Sequence, residues 1–320
     1  MRHHLPLIAT LLALCACATQ TSLQPATQDS GAASTATTAK NGRLFVSDPS
    51  NGDVTIYDIP GLRLVTILQT FKRPQGECAD FDGNVWVVDA GTRKIDKLDY
   101  EGKTIGRLGD RNGTPYSCAW DGSTGDLAVT NSAEKSYTGA LLVYRQAMGS
   151  PISIQSINLR SYDFAGYDQS GDLFFDGVTF GGKFGLSEVN ARQRYAHTIA
   201  VRGAKLFTPG FVQWDPQARA LEVADQNCGN SRTTCIYQLQ VVKKTAEVVK
   251  EIDLRTYRGT RVCDIVQAAL FGGSLYGSDN ESCGYADGAT YDWRFPSGSP
   301  KSYTGKASST WFGAAVAPKT

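Results

Sequence analysis

Histidine is almost missing from this chain. Three occur in 320 residues, and two of them, His3 and His4, lie at the extreme N-terminus. His197, in "RYAHTIAV", is the one imidazole left for the folded region, on a strand expected to be outermost in its unit. A Ser-His-Asp mechanism needs a histidine beside its nucleophile, and no G-x-S-x-G elbow is present either. Excess charge of one sign is also missing. Lys and Arg number 32 against 31 Asp and Glu, a formal charge of +1. That balance gives no electrostatic footprint for nucleic acid, which is not an expected partner. No apolar run approaches the roughly 20 residues that cross a bilayer as a helix. There is no C-x-x-C pair, which argues against structural zinc. No stretch keeps a helical period over several turns, so α-helical folds are disfavoured.

The N-terminus carries an address. "MRHHLPLIATLLALCACATQ" has a basic start at Arg2 and an apolar stretch from Leu5 to Leu14, the pattern of a secretion signal. Leu14-Cys15-Ala16-Cys17 resembles the bacterial lipobox, whose last cysteine carries the lipid. The resemblance implies lipidation at Cys17 and attachment to a membrane through that N-terminal lipid only. Buried acyl chains contribute roughly 0.8 kcal/mol per methylene, enough for several chains to anchor a protein durably. Ala18, a non-Asp residue after Cys17, implies the outer membrane by the same analogy. Ala16-Cys17-Ala18 also fits an ordinary small-x-small cleavage site, and the alternative is a soluble periplasmic or secreted protein. Residues 18–40 are rich in Thr, Ala, Ser and Gln and poor in large apolar side chains, as in a flexible tether. The expected organisation is a signal peptide with lipobox over 1–17, the tether over 18–40, and one folded domain over 41–320.

From residue 41 onward the chain repeats itself. "PQGECADFDGNVWVVD", "PYSCAWDGSTGDLAVTN", "FAGYDQSGDLFFDG", "PGFVQWDPQARALEVAD" and "VCDIVQAALFGGSLYGSD" share one pattern, marked by Asp80, Asp121, Asp168, Asp215 and Gln267. A recurrence at roughly 40 to 50 residues with short alternating strands signals propeller blades. In the first complete unit, strands are expected at Gly76–Asp80, Val85–Val88, Lys94–Leu98 and Thr104–Leu108, with turns at Asp82-Gly83 and Tyr100–Gly102. "TWFGAAVAPKT" at 310–320 reads as a first strand with no second after it, and "NGRLFVSD" at 41–48 as a second with no first before it. Joined, they make a composite blade that removes an open sheet edge. The expected fold is all-β: a six-bladed β-propeller of four-stranded blades, closed by the C-terminal strand and the N-terminal strands.

Pro74-x-Gly76, Asp80, Gly83-Asn84 and Val87-Val88-Asp89, with weaker copies later in the chain, resemble the NHL and YVTN type of six-bladed propeller, especially its bacterial secreted and lipid-anchored members. The resemblance covers about residues 41–320. It implies architecture; propellers carry many unrelated functions.

The cysteines follow from that architecture. Successive side chains of a strand point to opposite faces. Cys78 lies two residues before Asp80 and Cys118 three before Asp121, so on neighbouring first strands they face each other and a disulfide is expected. Two buried free thiols are the alternative. Cys228 and Cys235 bracket a loop, and Cys263 and Cys283 lie at one end of the same unit; these pairs are the ranked choice among 15 pairings of six cysteines.

Three residue sets are candidates for function. Asp48, Asp89, Asn131, Asp176, Asp225 and Asp279 end the second strands on one face, where they suit turn capping by their own backbone better than a cation. Glu77 and Asp264 are assigned the same register near the axis, and acids there are what a divalent ion such as calcium needs; gluconolactonase-type metallo-propellers resemble this arrangement. Arg73, Tyr116, Phe164, Phe211, Arg261 and Trp311 introduce the first strands and form either a binding face or a plug at the channel mouth, binding being preferred. The expected function is a non-enzymatic, monomeric, cofactor-free binding module presenting this face to an envelope protein, peptide or glycan. The alternatives are a metal-dependent hydrolase using Glu77 and Asp264, and a purely structural scaffold.

Overall fold

The computed structural model describes residues 41–110, 113–132, 138–191, 195–280, 289–306 and 310–320. The leader, Cys17, the tether and Cys283 lie outside the described residues.

All regular structure among the described residues is β, apart from two short 3-10 turns at Arg145–Ala147 and Cys228–Asn230. One antiparallel sheet runs β4 (Pro74–Ala79), β5 (Val85–Asp89), β6 (Lys94–Leu98), β7 (Thr104–Gly109), within a residue or two of the expected strands. A second runs β8 (Thr114–Trp120), β9 (Leu127–Ser132), β10 (Ala140–Tyr144), β11 (Ile152–Ile154). A third runs β20 (Ala268–Phe271), β21 (Ser274–Asp279), β22 (Ala289–Arg294), β23 (Ser299–Lys306). A fourth is composite: β24 (Ala314–Pro318) pairs with β1 (Gly42–Asp48), which continues to β2 (Asp53–Ile59) and β3 (Arg63–Leu68). Gly42 lies opposite Pro318, and Val46 opposite Ala314, so the two ends of the domain share one ladder.

The remaining strands form one eight-stranded sheet. Two antiparallel runs, β12 (Ala165–Tyr167), β13 (Leu173–Val178), β14 (Phe184–Val189), β15 (Ala196–Arg202) and β16 (Pro209–Asp215), β17 (Ala220–Asp225), β18 (Cys235–Val242), β19 (Thr245–Asp253), are fused where β15 and β19 pair in parallel. Ala200 to Arg202 lie opposite Thr245 to Glu247. Repeat periodicity gave no hint of this fusion.

Burial follows position in the sheet. The second strands β5, β17 and β21 are buried along their whole length, because sheets cover them on both faces. The sequence of β5 is accordingly a near-continuous apolar run, whereas β17 and β21 also bury Glu222, Ser274 and Ser278. The outer strand β7 alternates between exposed and half-buried residues.

The first strands neighbour one another in a closed order: β24, β4, β8, β12, β16, β20 and back to β24. Their approach is close enough to dictate glycine. A Cβ on Gly76 would lie 2.7 Å from Ser117 Cα on the next first strand, and one on Gly313 would lie 2.3 Å from the Gln75 carbonyl oxygen. The Pro74-x-Gly76 motif is thus a packing requirement. The Cys78–Cys118 disulfide joins the same two strands, with Cα atoms 5.6 Å apart, and Cys228–Cys235 closes its loop. Cys263 is also disulfide-bonded.

One register assignment needs correction. Asp80, Asp121, Asp168 and Asp215 each accept a hydrogen bond from the N–H two residues on, opening the hairpin to the second strand. Gln267 instead precedes β20, whose hairpin turn is at Gly272-Gly273. The glycine pair takes over the turn with positive φ, leaving the glutamine free for another task.

Candidate functional site

The acids ending the second strands are ties. Asp89 accepts hydrogen bonds from the backbone N–H groups of Lys72 and Arg73, Asp225 from those of Phe207 and Thr208, Asp279 from those of Cys263 and Asp264, and Asp176 from that of Phe164. Each buried carboxylate therefore holds the loop that leads into the first strand of its own unit. Asp264 sits in such a loop, not on a first strand beside Glu77.

The axis is sealed by side chains. Gln267 reaches across it: its Oε1 accepts from the N–H groups of Glu77 (2.9 Å) and Ala314 (3.3 Å), and its Nε2 donates to the Glu77 carbonyl (2.8 Å). Glu77 is only 1% exposed, and neither carboxyl oxygen has a hydrogen-bond partner. Burial holds its pKa well above the ordinary carboxylate range; the Ala315 backbone N–H opposes this without reaching hydrogen-bond geometry. Among the described residues Glu77 belongs to no cluster of three His, Cys, Asp or Glu donors within ligating distance. The one such cluster, Cys228, Cys235 and Glu251, has its two sulfurs bound to each other.

The six residues expected to form a binding face do not share one surface. Phe164, Phe211 and Trp311 are buried, because the first strands pack too tightly to leave rings outside. Trp311 turns into the core against Tyr57, ring centroids 6.4 Å apart. Its neighbour Phe312 points the other way and meets Tyr116 edge-on at 4.9 Å, with Phe164 completing the trio. Successive side chains alternate in direction, so Phe312, and not Trp311, joins Tyr116 and Phe164. Tyr116 is half-buried, and burial together with the charges of Asp163, Asp176 and Asp264 raises its phenol pKa. Burial also lifts Asp163 to about 6. Arg73 is exposed, and Arg261 is held in an ion pair with Asp253 at 2.9 Å. This end of the axis is an aromatic plug with charged groups around it.

A ligand-sized depression lies elsewhere. β12 and β16, the two ends of the eight-stranded sheet, are spatial neighbours, so the sheet curls back on itself around a large apolar core that includes Phe174, Leu221 and Leu239. The mouth of this curl is a cleft of about 630 Å³. Phe174, Trp214 and the exposed Tyr195 give it aromatic surface. The Trp214 indole N–H is buried without an acceptor. Asp168, Asp172 and Glu188 line one wall, from the β12–β15 half; Arg219, Lys243 and Lys244 line the other, from the β16–β19 half. His197 lies opposite Glu188 in the ladder, its Nε2 3.0 Å from the carboxylate. Burial raises the Glu188 pKa; His197 opposes this, and the charges of Asp172 and Asp168 add to it. Burial likewise raises Asp168, its own turn amides opposing and the Asp172 and Asp121 charges adding. Mouths of curled sheets are favoured sites for small ligands, and the volume falls within the range of roughly 300 to 1,000 Å³ that they occupy.

No protein-family profile matches the chain, and no curated protein matches it in sequence. Solved structures do match in fold. A protein of unknown function from Bacteroides caccae superposes with a TM-score of 0.63 at 12% identity, covering 87% of this chain and 100% of its own. Hydrazine synthase of Kuenenia stuttgartiensis gives 0.58 at 14%, covering 88% of each chain. The β-propeller domain of Myceliophteria thermophila Cps50 (Swd1) gives 0.55 at 16%, covering 86% of this chain and 87% of its own. The chain is thus a propeller-like all-β protein built of four-stranded units. At these identities the likeness concerns the fold alone.

Proposed function

We propose that this protein is a lipid-anchored, NHL-like, six-bladed propeller that serves as a binding module in the bacterial envelope, with its ligand site at the mouth of the curled sheet. Counting the eight-stranded sheet as two fused blades gives six, in keeping with the closed order of six first strands. The lipobox-like Cys17 and the disulfides support an exported, oxidising setting. The observation that carries the binding role is the aromatic, charge-lined cleft beside a sealed axis. The metallo-hydrolase alternative loses support because Glu77 is enclosed and Asp264 is committed to a loop away from it. The ligand belongs to the envelope: a protein, peptide or glycan.

Hydrogen exchange on the full-length chain tests this. Cell-wall peptides or oligosaccharides are expected to protect amides at 168–172, 195–197 and 240–244, and Trp214→Ala is expected to weaken binding at least about tenfold, near 1.4 kcal/mol. Protection confined to the loops around Tyr116 would move the site to the other end of the axis. Calcium-dependent turnover would replace binding with catalysis.

A further inference from the structure

Two units of this fold carry the same three positions with different residues. In the sheet of β4–β7, Trp86 pairs with Lys97 across β5 and β6. The Lys97 ammonium reaches Asp80 Oδ2 at 3.2 Å and lies 5.3 Å from the Trp86 ring centroid. An acid and an aromatic face thus hold a built-in cation. In the β12–β15 run the matching positions are Asp168, Phe174 and Glu188, with Phe174 opposite Glu188 in the ladder as Trp86 is opposite Lys97. The acid and the ring remain, but the lysine has become a second acid. Asp172 adds a third at the same wall, and no Lys or Arg forms an ion pair with Asp168, Asp172 or Glu188 among the described residues. Across the cleft, Arg219, Lys243 and Lys244 have no ion-pair partner among the described residues either. In the β8–β11 sheet Asp126, at the end of the corresponding hairpin, is neutralised from within by Arg145.

We infer that the cleft takes a small zwitterion with an apolar body, a short peptide free at both ends. Its ammonium fills the place that Lys97 holds in the other unit, between Asp168, Glu188 and the Phe174 ring. Its carboxylate faces Arg219, Lys243 and Lys244, and its side chains rest on Trp214. His197, 3.0 Å from Glu188, is the only basic side chain paired with this acidic wall among the described residues, and it opposes the rise that burial gives the Glu188 pKa. A neutral glycan would satisfy the aromatic surface and leave both sets of charges unmatched.

This inference rests on the cleft being the binding site, and the test separates the two. The full-length chain is titrated with the tripeptide Ala-Leu-Ala in its free, N-acetylated, C-amidated and doubly capped forms, followed by calorimetry. Each cap is expected to weaken binding at least about tenfold. Glu188→Lys, which installs the residue found at the matching position, should abolish binding of the free peptide and keep the thermal transition. Should that variant not fold, Lys243→Ala with Lys244→Ala on an exposed turn serves instead: it should weaken the free acid about tenfold and leave the amide unchanged. Equal affinity for free and doubly capped peptide, lost in Trp214→Ala, would overturn the zwitterion and leave the site standing. No binding of any form, or binding indifferent to all three variants, would overturn both.

Discussion

At the scale of single residues, Glu77 is a buried acid with both carboxyl oxygens unpartnered. A carboxyl group enclosed without a partner favours its neutral form. Folding therefore raises its pKa above the unfolded value of about 4.5 and takes up a proton. The sign follows: its contribution to stability is complete below pH 4.5 and is lost as pH rises toward the folded value. Glu222, lifted to about 7 mainly by burial, and Asp163 and Asp279, lifted to about 6 by the same cause, act in the same direction. The protein is expected to be more stable in mild acid than at pH 8. Glu77→Gln keeps the shape and removes the proton, so urea midpoints measured from pH 5 to 8 should fall less steeply than in the parent. An unchanged slope would mean that Glu77 is not enclosed in solution. The residue scale is also where sequence reading failed most. Glu77 was legible as an axial acid, but its clasp by Gln267 was not, because that glutamine was aligned as a turn residue. Trp311 was legible as an aromatic at the entry to a first strand, but nothing local tells whether it or Phe312 faces inward.

At the scale of elements, the first strands are set by how closely they can approach. Gly76→Val would drive a branched side chain into the Ser117 backbone, and overpacking of this kind costs roughly 1–3 kcal/mol. Denaturant unfolding should show that loss, while Gly109→Ala, where a Cβ meets nothing within 4 Å, should stay within about 0.5 kcal/mol of the parent. Equal behaviour of the two variants would contradict the tight ring. Strands, hairpins and the Cys78–Cys118 bridge were readable because each depends on a short-range pattern: period two, turn residues, and parity about a repeat mark. The fusion of β15 to β19 was not readable. It joins the outer strands of two successive units in parallel, a contact that no repeat encodes, and residues of both halves line the candidate cleft.

For the whole molecule, the leader and the fold concern one another. If Cys17 is the lipid acceptor, metabolic palmitate labelling of the full chain in a bacterial host should mark the protein and Cys17→Ser should abolish the mark and release the protein from membranes. An unlabelled parent chain would favour ordinary cleavage and a soluble product.

The pairing of β1 with β24 has a consequence for the order of events. The strand that completes the first sheet, β24, is synthesised after every other strand described. Until it arrives, β1 presents an open edge and the ring has no closure, so early segments cannot settle irreversibly. Closure of the ring therefore waits on a single pairing, and until it forms the other sheets are held in place only by their neighbours.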